Sequence, residues 1–196
     1  LDMVSVNQFL PELRTMIPNI MNEIMKREVV KAARRFCEDT NIFIITETVS
    51  SESDVQTFDI PSLWAASGNR QDKMEFANVV LVTGDEETLY ESSDYTMPDK
   101  GSIAIEKAYR SISIMASVKP ERAVNELPES LYNQYAEFIC YGAASKLYTV
   151  AGHENGDLHQ YYEREYIEGM RKVKRWRLNS FPHQPFSPRK RNRSFF

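Results

Sequence analysis

The sequence predicts an α+β protein: a helical bundle of about four helices, an inserted antiparallel β domain, and an extended C-terminal arm. Three observations predict it. Apolar residues recur at helical spacing at both ends of the chain, the middle is β-branched and broken by turn residues, and the end carries prolines three apart. The divisions fall at 1–40 (N-terminal helices), 41–120 (β domain), 121–178 (C-terminal helices) and 179–196 (arm).

The first helix is expected over Asn7 to Ile17, where Phe9, Leu10, Leu13, Met16 and Ile17 make one apolar face. Asn7 is the expected cap, and Pro11 is tolerable only in the first turn, where its missing N–H would have no partner anyway. Pro18 ends this helix. A second runs from Asn19 to Asp39, with Ile20, Ile24, Val30, Ala33 and Cys37 on one face and Asn41 as its stop. From Ile42 the texture becomes that of strands: Ile42 to Val49, an alternation from Val55 to Ile60, Val79 to Val82, Thr88 to Tyr90, Tyr95 to Met97, Ile103 to Ile105 and Ile112 to Val118. Thr83-Gly84-Asp85-Glu86 has the composition of a hairpin turn. Trp64 to Glu75 is expected to be a loop or one helical turn. Short strands joined by short turns argue for an antiparallel sandwich or sheet rather than βαβ units.

Helical spacing returns at Leu127-Pro128-Glu129 and continues through Leu131, Tyr135, Phe138, Ile139, Gly142, Ala143, Leu147 and Val150, with Gly152 as the stop. Asn155-Gly156-Asp157 caps a last helix to about Arg177, whose Tyr161, Tyr162, Tyr166, Ile167, Met170 and Val173 face the bundle. The chain has no repeat at periods of 20–50 residues.

Composition narrows the class. With 42% hydrophobic and 27% charged residues, the chain is ordinary for a globular protein, and its apolar runs fall short of a bilayer span. Leu1 to Leu10 lacks the charged-then-apolar layout of a signal peptide. The two cysteines, Cys37 and Cys140, fall inside helical patterns and are expected as buried reduced thiols in a cytosolic setting. The net charge of −4 conceals an asymmetry. Nine of the 24 Lys and Arg lie between Arg171 and Arg193 with no acid among them, leaving 15 against all 28 acids in the preceding residues. An acidic body with a basic end favours attraction between copies, or to an acidic partner.

Catalytic chemistry is not legible. His153, His159 and His183 belong to no Cys/His cluster of zinc-like spacing, and the seven glycines form no phosphate-cradling loop. No cofactor or metal is expected, and the acids around Asp85 to Glu87 read as a solvated turn. The tail is more specific. Pro182, Pro185 and Pro188 pre-order an extended strand, and Phe181, Phe186, Phe195 and Phe196 stand among them with Arg189, Lys190, Arg191 and Arg193. Buried on a partner, each Phe contributes roughly 1.5–3 kcal/mol. With Trp176 at the root, these residues form the expected partner-docking set, the aromatics anchoring and the cations steering.

Several stretches resemble the head-to-tail adaptor (connector) proteins of tailed bacteriophages. They are Lys119-Pro120-Glu-Arg-Ala, Leu127-Pro128-Glu-Ser-Leu131, Tyr135-Ala136-Glu137, Gly142-Ala143-Ala144-Ser-Lys-Leu147, then Tyr162, Tyr166 and Ile167-Glu-Gly169. Near the N-terminus, Val29-Val30-Lys-Ala-Ala33-Arg-Arg-Phe36-Cys37-Glu is similar as well. The resemblance implies a structural virion protein without catalytic residues, forming a ring commonly of twelve copies beneath the portal protein. It implies that the helices and arm face the portal, the strands face tail or nozzle proteins, and DNA passes through without sequence-specific binding. No membrane partner is implied. The location would be the head–tail junction of the virion, and the host cytoplasm during assembly. Two alternatives stay open: a nucleic-acid-binding protein using Arg171 to Arg193, and a hydrolase with its site in the β block.

Overall fold

Capping side chains and left-handed residues set the element boundaries in the computed structural model, which describes residues 2–50, 56–68 and 72–180. The architecture is mixed α+β, with five α-helices and antiparallel sheets among the described residues. Strand β1 (Met3–Ser5) leads into a 3-10 turn (Val6–Phe9) and then α1 (Leu10–Met16), with Pro11 in its first turn. Ser5, not Asn7, is the cap. The helical turn starts at Val6, so the Asn7 N–H is itself one of the unpaired donors, and it donates to Ser5 Oγ at 3.3 Å. Helix α2 (Asn22–Thr40) starts three residues later than the spacing predicts, because Asn19 takes a left-handed φ of 63° that a helix cannot include. It ends where expected, at Asn41 with φ 50°.

The second long helix, α4 (Glu129–Leu147), follows α3 (Ile60–Ala66) in chain order and is preceded by a short strand, β9 (Glu126–Pro128), that the apolar spacing conceals. That strand pairs antiparallel with β1, Met3 opposite Pro128, and the Glu129 N–H donates to Asp2 O at 2.8 Å. Pro128 therefore both closes the strand and stands as the N-cap of α4, next to its first residue as expected. Helix α4 also stops five residues before Gly152. Its last turn tightens, with Thr149 and Val150 N–H donating three residues back, and Gly152 (φ 85°) serves the turn that follows. Helix α5 (Gly156–Ser180) begins as predicted, Asn155 Oδ1 accepting from Leu158 N–H at 3.0 Å. It passes Arg177 and includes Asn179 and Ser180, whose Oγ donates to Trp176 O at 3.0 Å.

One core joins Phe9, Leu13 and Ile17 to Met25, Val29, Phe36 and Cys37 of α2, Leu131, Ile139 and Cys140 of α4, and Tyr166 of α5. Helices α4 and α5 meet through two reciprocal notches. Gly142 of α4 takes the Tyr166 ring, and Gly169 of α5 takes the Phe138 ring; a Cβ at either glycine would lie 2.8 Å and 2.5 Å from those rings. The Tyr166 hydroxyl then donates to Ala32 O of α2 at 2.7 Å.

The remaining strands form two sheets. The order β2-β8-β4-β5 joins Ile44–Val49, Ile112–Pro120, Met74–Gly84 and Glu87–Leu89, and the order β3-β7-β6 joins Gln56–Asp59, Ser102–Ile105 and Tyr95–Asp99. Ile45, Val82, Ile112 and Ile114 of the first share a second core with Ile103 and Ile105 of the other and Trp64 of α3. Helix α3 corrects the expected loop or single turn: Pro61 stands in its first turn, and Asp59 Oδ2 accepts from Ser62 N–H at 3.1 Å. Strand β4 likewise claims Met74 and Glu75. Val55 and residues 69–71 lie outside the described residues. The hairpin turn narrows to Asp85 and Glu86, both left-handed (φ 49° and 72°), as a two-residue turn requires.

Filling a notch should unseat α5. Gly142→Ala or Gly169→Ala gains about 1 kcal/mol of helix propensity but overpacks a ring contact. We expect a net loss of about 1–3 kcal/mol in urea unfolding, whereas Gly156→Ala, which meets nothing within 4 Å, should change stability by less than about 0.5 kcal/mol.

Candidate docking surface

Residues of α5 at intervals of three and four turn inward: Tyr166, Gly169, Met170, Val173 and Arg177 are all buried. That stripe dictates what its last turns present outward. Lys172, Lys174, Arg175, Trp176 and Leu178 are exposed, Trp176 at 57%. Between α4 and α5 a groove of about 390 Å3 is lined by Gln134, Tyr135, Lys172, Val173 and Trp176. Its floor is apolar and its edge cationic, which suits an apolar side chain flanked by acids. Arg171 pairs with Glu168 on the same helix.

Of the predicted docking set, Trp176 lies on this exposed helical surface. Phe181, Pro182, Pro185, Phe186, Pro188, Arg189, Lys190, Arg191, Arg193, Phe195 and Phe196 lie outside the described residues. The expectation that the α5 tyrosines face inward holds for Tyr166, which is buried, and for Tyr162, which stacks on Tyr148. It fails for Tyr161, which is 46% exposed because it sits roughly 140° around the helix axis from Tyr166.

A polar seam binds α2 to the strands. Arg34 donates to Pro120 O at 2.5 Å and to Glu75 at 2.6 Å, and Glu38 accepts from Lys119 at 2.8 Å and from Lys100. Asn41, placed by its left-handed backbone, accepts from Asn78 Nδ2 at 3.0 Å and Ser117 Oγ at 2.8 Å. A second junction surrounds Glu163 of α5, which accepts from Arg35 at 2.8 Å and Ser145 Oγ at 2.9 Å, with Lys146 at 3.4 Å. Burial raises the pKa of both carboxyls, but the hydrogen bonds outweigh it: Lys100 and Lys119 hold Glu38, and Arg35 and Ser145 hold Glu163, below the usual carboxylate value.

Several stretches singled out in the sequence occupy these junctions. Lys119 and Pro120 form the seam, Tyr135 packs on Phe36 at 5.2 Å between ring centres, and Gly142 and Gly169 are the two notches. The residues that sequence reasoning missed are Arg34, Glu38, Asn78 and Ser117. Asn41 was legible as a helix stop, but its side chain's role was not.

His159 Nδ1–H donates to Ser145 O at 2.7 Å. Asp85, beside a cavity of about 440 Å3 lined also by Thr83, Glu86, Arg110, Ser111 and Ser113, accepts from the Arg110 and Ser111 N–H groups. Among the described residues no group of three or more His, Cys, Asp or Glu is placed to hold a metal ion, and no helix is long and apolar enough to cross a membrane. Cys37 and Cys140 are both free and buried. The chain matches no family model and no curated protein.

Two solution tests follow from these environments. A carboxyl depressed in the folded state stabilises above its unfolded-state pKa, and that contribution is lost as pH falls through the folded value. Glu38→Gln should therefore cost about 1 kcal/mol at pH 7, and its urea-unfolding curve should converge with wild type as pH falls through the depressed Glu38 value. Burial pushes the Cys37 and Cys140 thiols well above their usual range. Both should resist a thiol reagent in the native protein and react promptly in urea.

Proposed function

We propose that this chain is a structural virion protein: a ring-forming head-to-tail adaptor that joins the portal to the tail and surrounds the DNA channel. The finer architecture we infer is a bundle of α1, α2, α4 and α5 with 41–120 as an inserted β domain, supported by the two separate hydrophobic cores. The observation that carries the functional reading is the C-terminal end of α5. There the helix exposes Lys172, Lys174, Arg175 and Trp176 and leads directly into a proline-spaced, phenylalanine- and arginine-rich segment. An arm of that composition adds contact area, and many arms on one ring add avidity. The agreement between the adaptor-like stretches and the junctions of α2, α4, α5 and β8 supports a likeness of architecture rather than of surface composition.

In this reading the helices and arm face the portal, the strands face tail components, and the acidic body lets DNA pass without gripping it. The same exposed cations and Trp176 also support a nucleic-acid-binding reading, which requires steeply salt-dependent binding to free DNA; the adaptor reading requires only weak, non-specific retention.

Deleting residues 181–196 should leave urea unfolding unchanged and abolish joining of the protein to portal-bearing, tailless heads in a sedimentation assay. Normal joining by the truncated chain would refute the arm's role.

A further inference from the structure

Among the described residues the large exposed apolar side chains are Met21, Tyr90, Tyr161, Trp176 and Leu178. Two of these sit in oppositely charged surroundings. Trp176 borders the α4–α5 groove with Lys172 on its edge; exposed Arg175 follows Lys172 by three residues on the same helix face, and Lys174 is exposed farther round the helix. Tyr90, just after β5, is 46% exposed and is followed by exposed Glu91, while exposed Glu86 and Glu87 stand at the other end of that three-residue strand. None of these six charged residues forms a salt bridge among the described residues.

The Tyr90 corner is also preset. Tyr90 N–H donates to Asp94 Oδ2 at 3.0 Å, Asp94 N–H donates back to Tyr90 O at 3.0 Å, and Ser92, at φ 74°, donates to Tyr95 O at 2.8 Å. An aromatic held on such a corner loses little conformational freedom when it docks.

Within one copy the two patches are held apart. The β4–β8 register puts Gly84 opposite Ile112 beside β5, and Met74 opposite Pro120 at the far end. Pro120 O is where Arg34 attaches, and Phe36, two residues along α2, packs on Tyr135 of the groove. Eight residue steps of β8 separate its ends, about 26 Å.

We propose that the Tyr90 corner of one copy docks in the Lys172–Trp176 groove of the next, an aromatic contact with acids on one side and cations on the other. The contact is head to tail between unlike faces, the kind that closes into a ring when its rotation allows. It rests on the ring-forming reading above and specifies the contact, assigning Trp176 to the neighbouring copy rather than to the arm.

The test uses two charge-reversed full-length chains, Lys172→Glu/Arg175→Glu and Glu87→Lys/Glu91→Lys, compared with wild type by sedimentation velocity over a concentration series. All four positions are exposed, so thermal unfolding should match wild type. Wild type should self-associate, and each reversed chain alone should associate at least about tenfold more weakly, since like charges then face each other. Mixing the two should restore association, because each reversed face meets its complement on the other chain. Trp176→Ala and Tyr90→Ala should weaken association without altering charge. A wild type that stays monomeric, reversals without effect, or a mixture no stronger than its components would overturn the contact. Heads that still recruit the protein under any of those outcomes would leave the adaptor reading standing. Intact self-association without recruitment would do the reverse.

Discussion

Arg34 and Glu38 leave α2 one turn apart and close on β4 and β8 through Glu75, Lys119 and the Pro120 carbonyl. On its other side the same stretch of helix presents Phe36 to Tyr135 and Tyr166 and offers the Ala32 carbonyl to the Tyr166 hydroxyl. Two turns of α2 thus touch both the strand core and the helical core, and Phe43, just beyond the helix, packs against both as well. Asn41 completes the junction: its left-handed backbone stops the helix, and its amide oxygen receives Asn78 and Ser117 from the strands. Isolated surface ion pairs contribute little. Here Lys119 is buried, and several charged hydrogen bonds converge on two acids, which is the circumstance in which such contacts fix an orientation.

From that junction the position of the candidate docking surface follows. Tyr166, anchored to α2, sets the rotation of α5, and the notches at Gly142 and Gly169 set its distance from α4. Once Tyr166, Met170, Val173 and Arg177 face inward, geometry leaves Lys172, Arg175 and Trp176 outward. The charge asymmetry of the sequence acquires a spatial form: Glu86, Glu87 and Glu91 are exposed near β5, and Lys172, Lys174 and Arg175 are exposed on the last turns of α5.

Much of this was legible in the sequence, and what was not has identifiable physical causes. The long helices were legible because their apolar residues recur with helical period, and most strands because β-branched runs alternate between turn residues. Helix α3 was hidden by its length, two turns, although Asp59-Ile-Pro61-Ser62 is a cap-and-proline start. The β1–β9 ribbon was hidden because three-residue strands carry no periodicity and depend on a pairing across more than a hundred residues. Gly152 drew the stop of α4 too far, since backbone tightening after Leu147 leaves no mark in composition. The seam was invisible for a related reason: Arg34, Glu38 and Asn78 look like ordinary solvated residues until the fold brings them together. Trp176 is an expected docking residue from its type and neighbours, whereas Tyr135, which lines the same groove, reads from sequence as core and as part of an adaptor-like stretch.

The measurement that tests the central claim most directly is cryo-microscopy of the protein bound to portal-bearing heads. The adaptor reading requires a closed ring at the head vertex, with the α5 ends toward the portal and the strands pointing away. A vertex without added ring density, or protein distributed along released DNA, would contradict it.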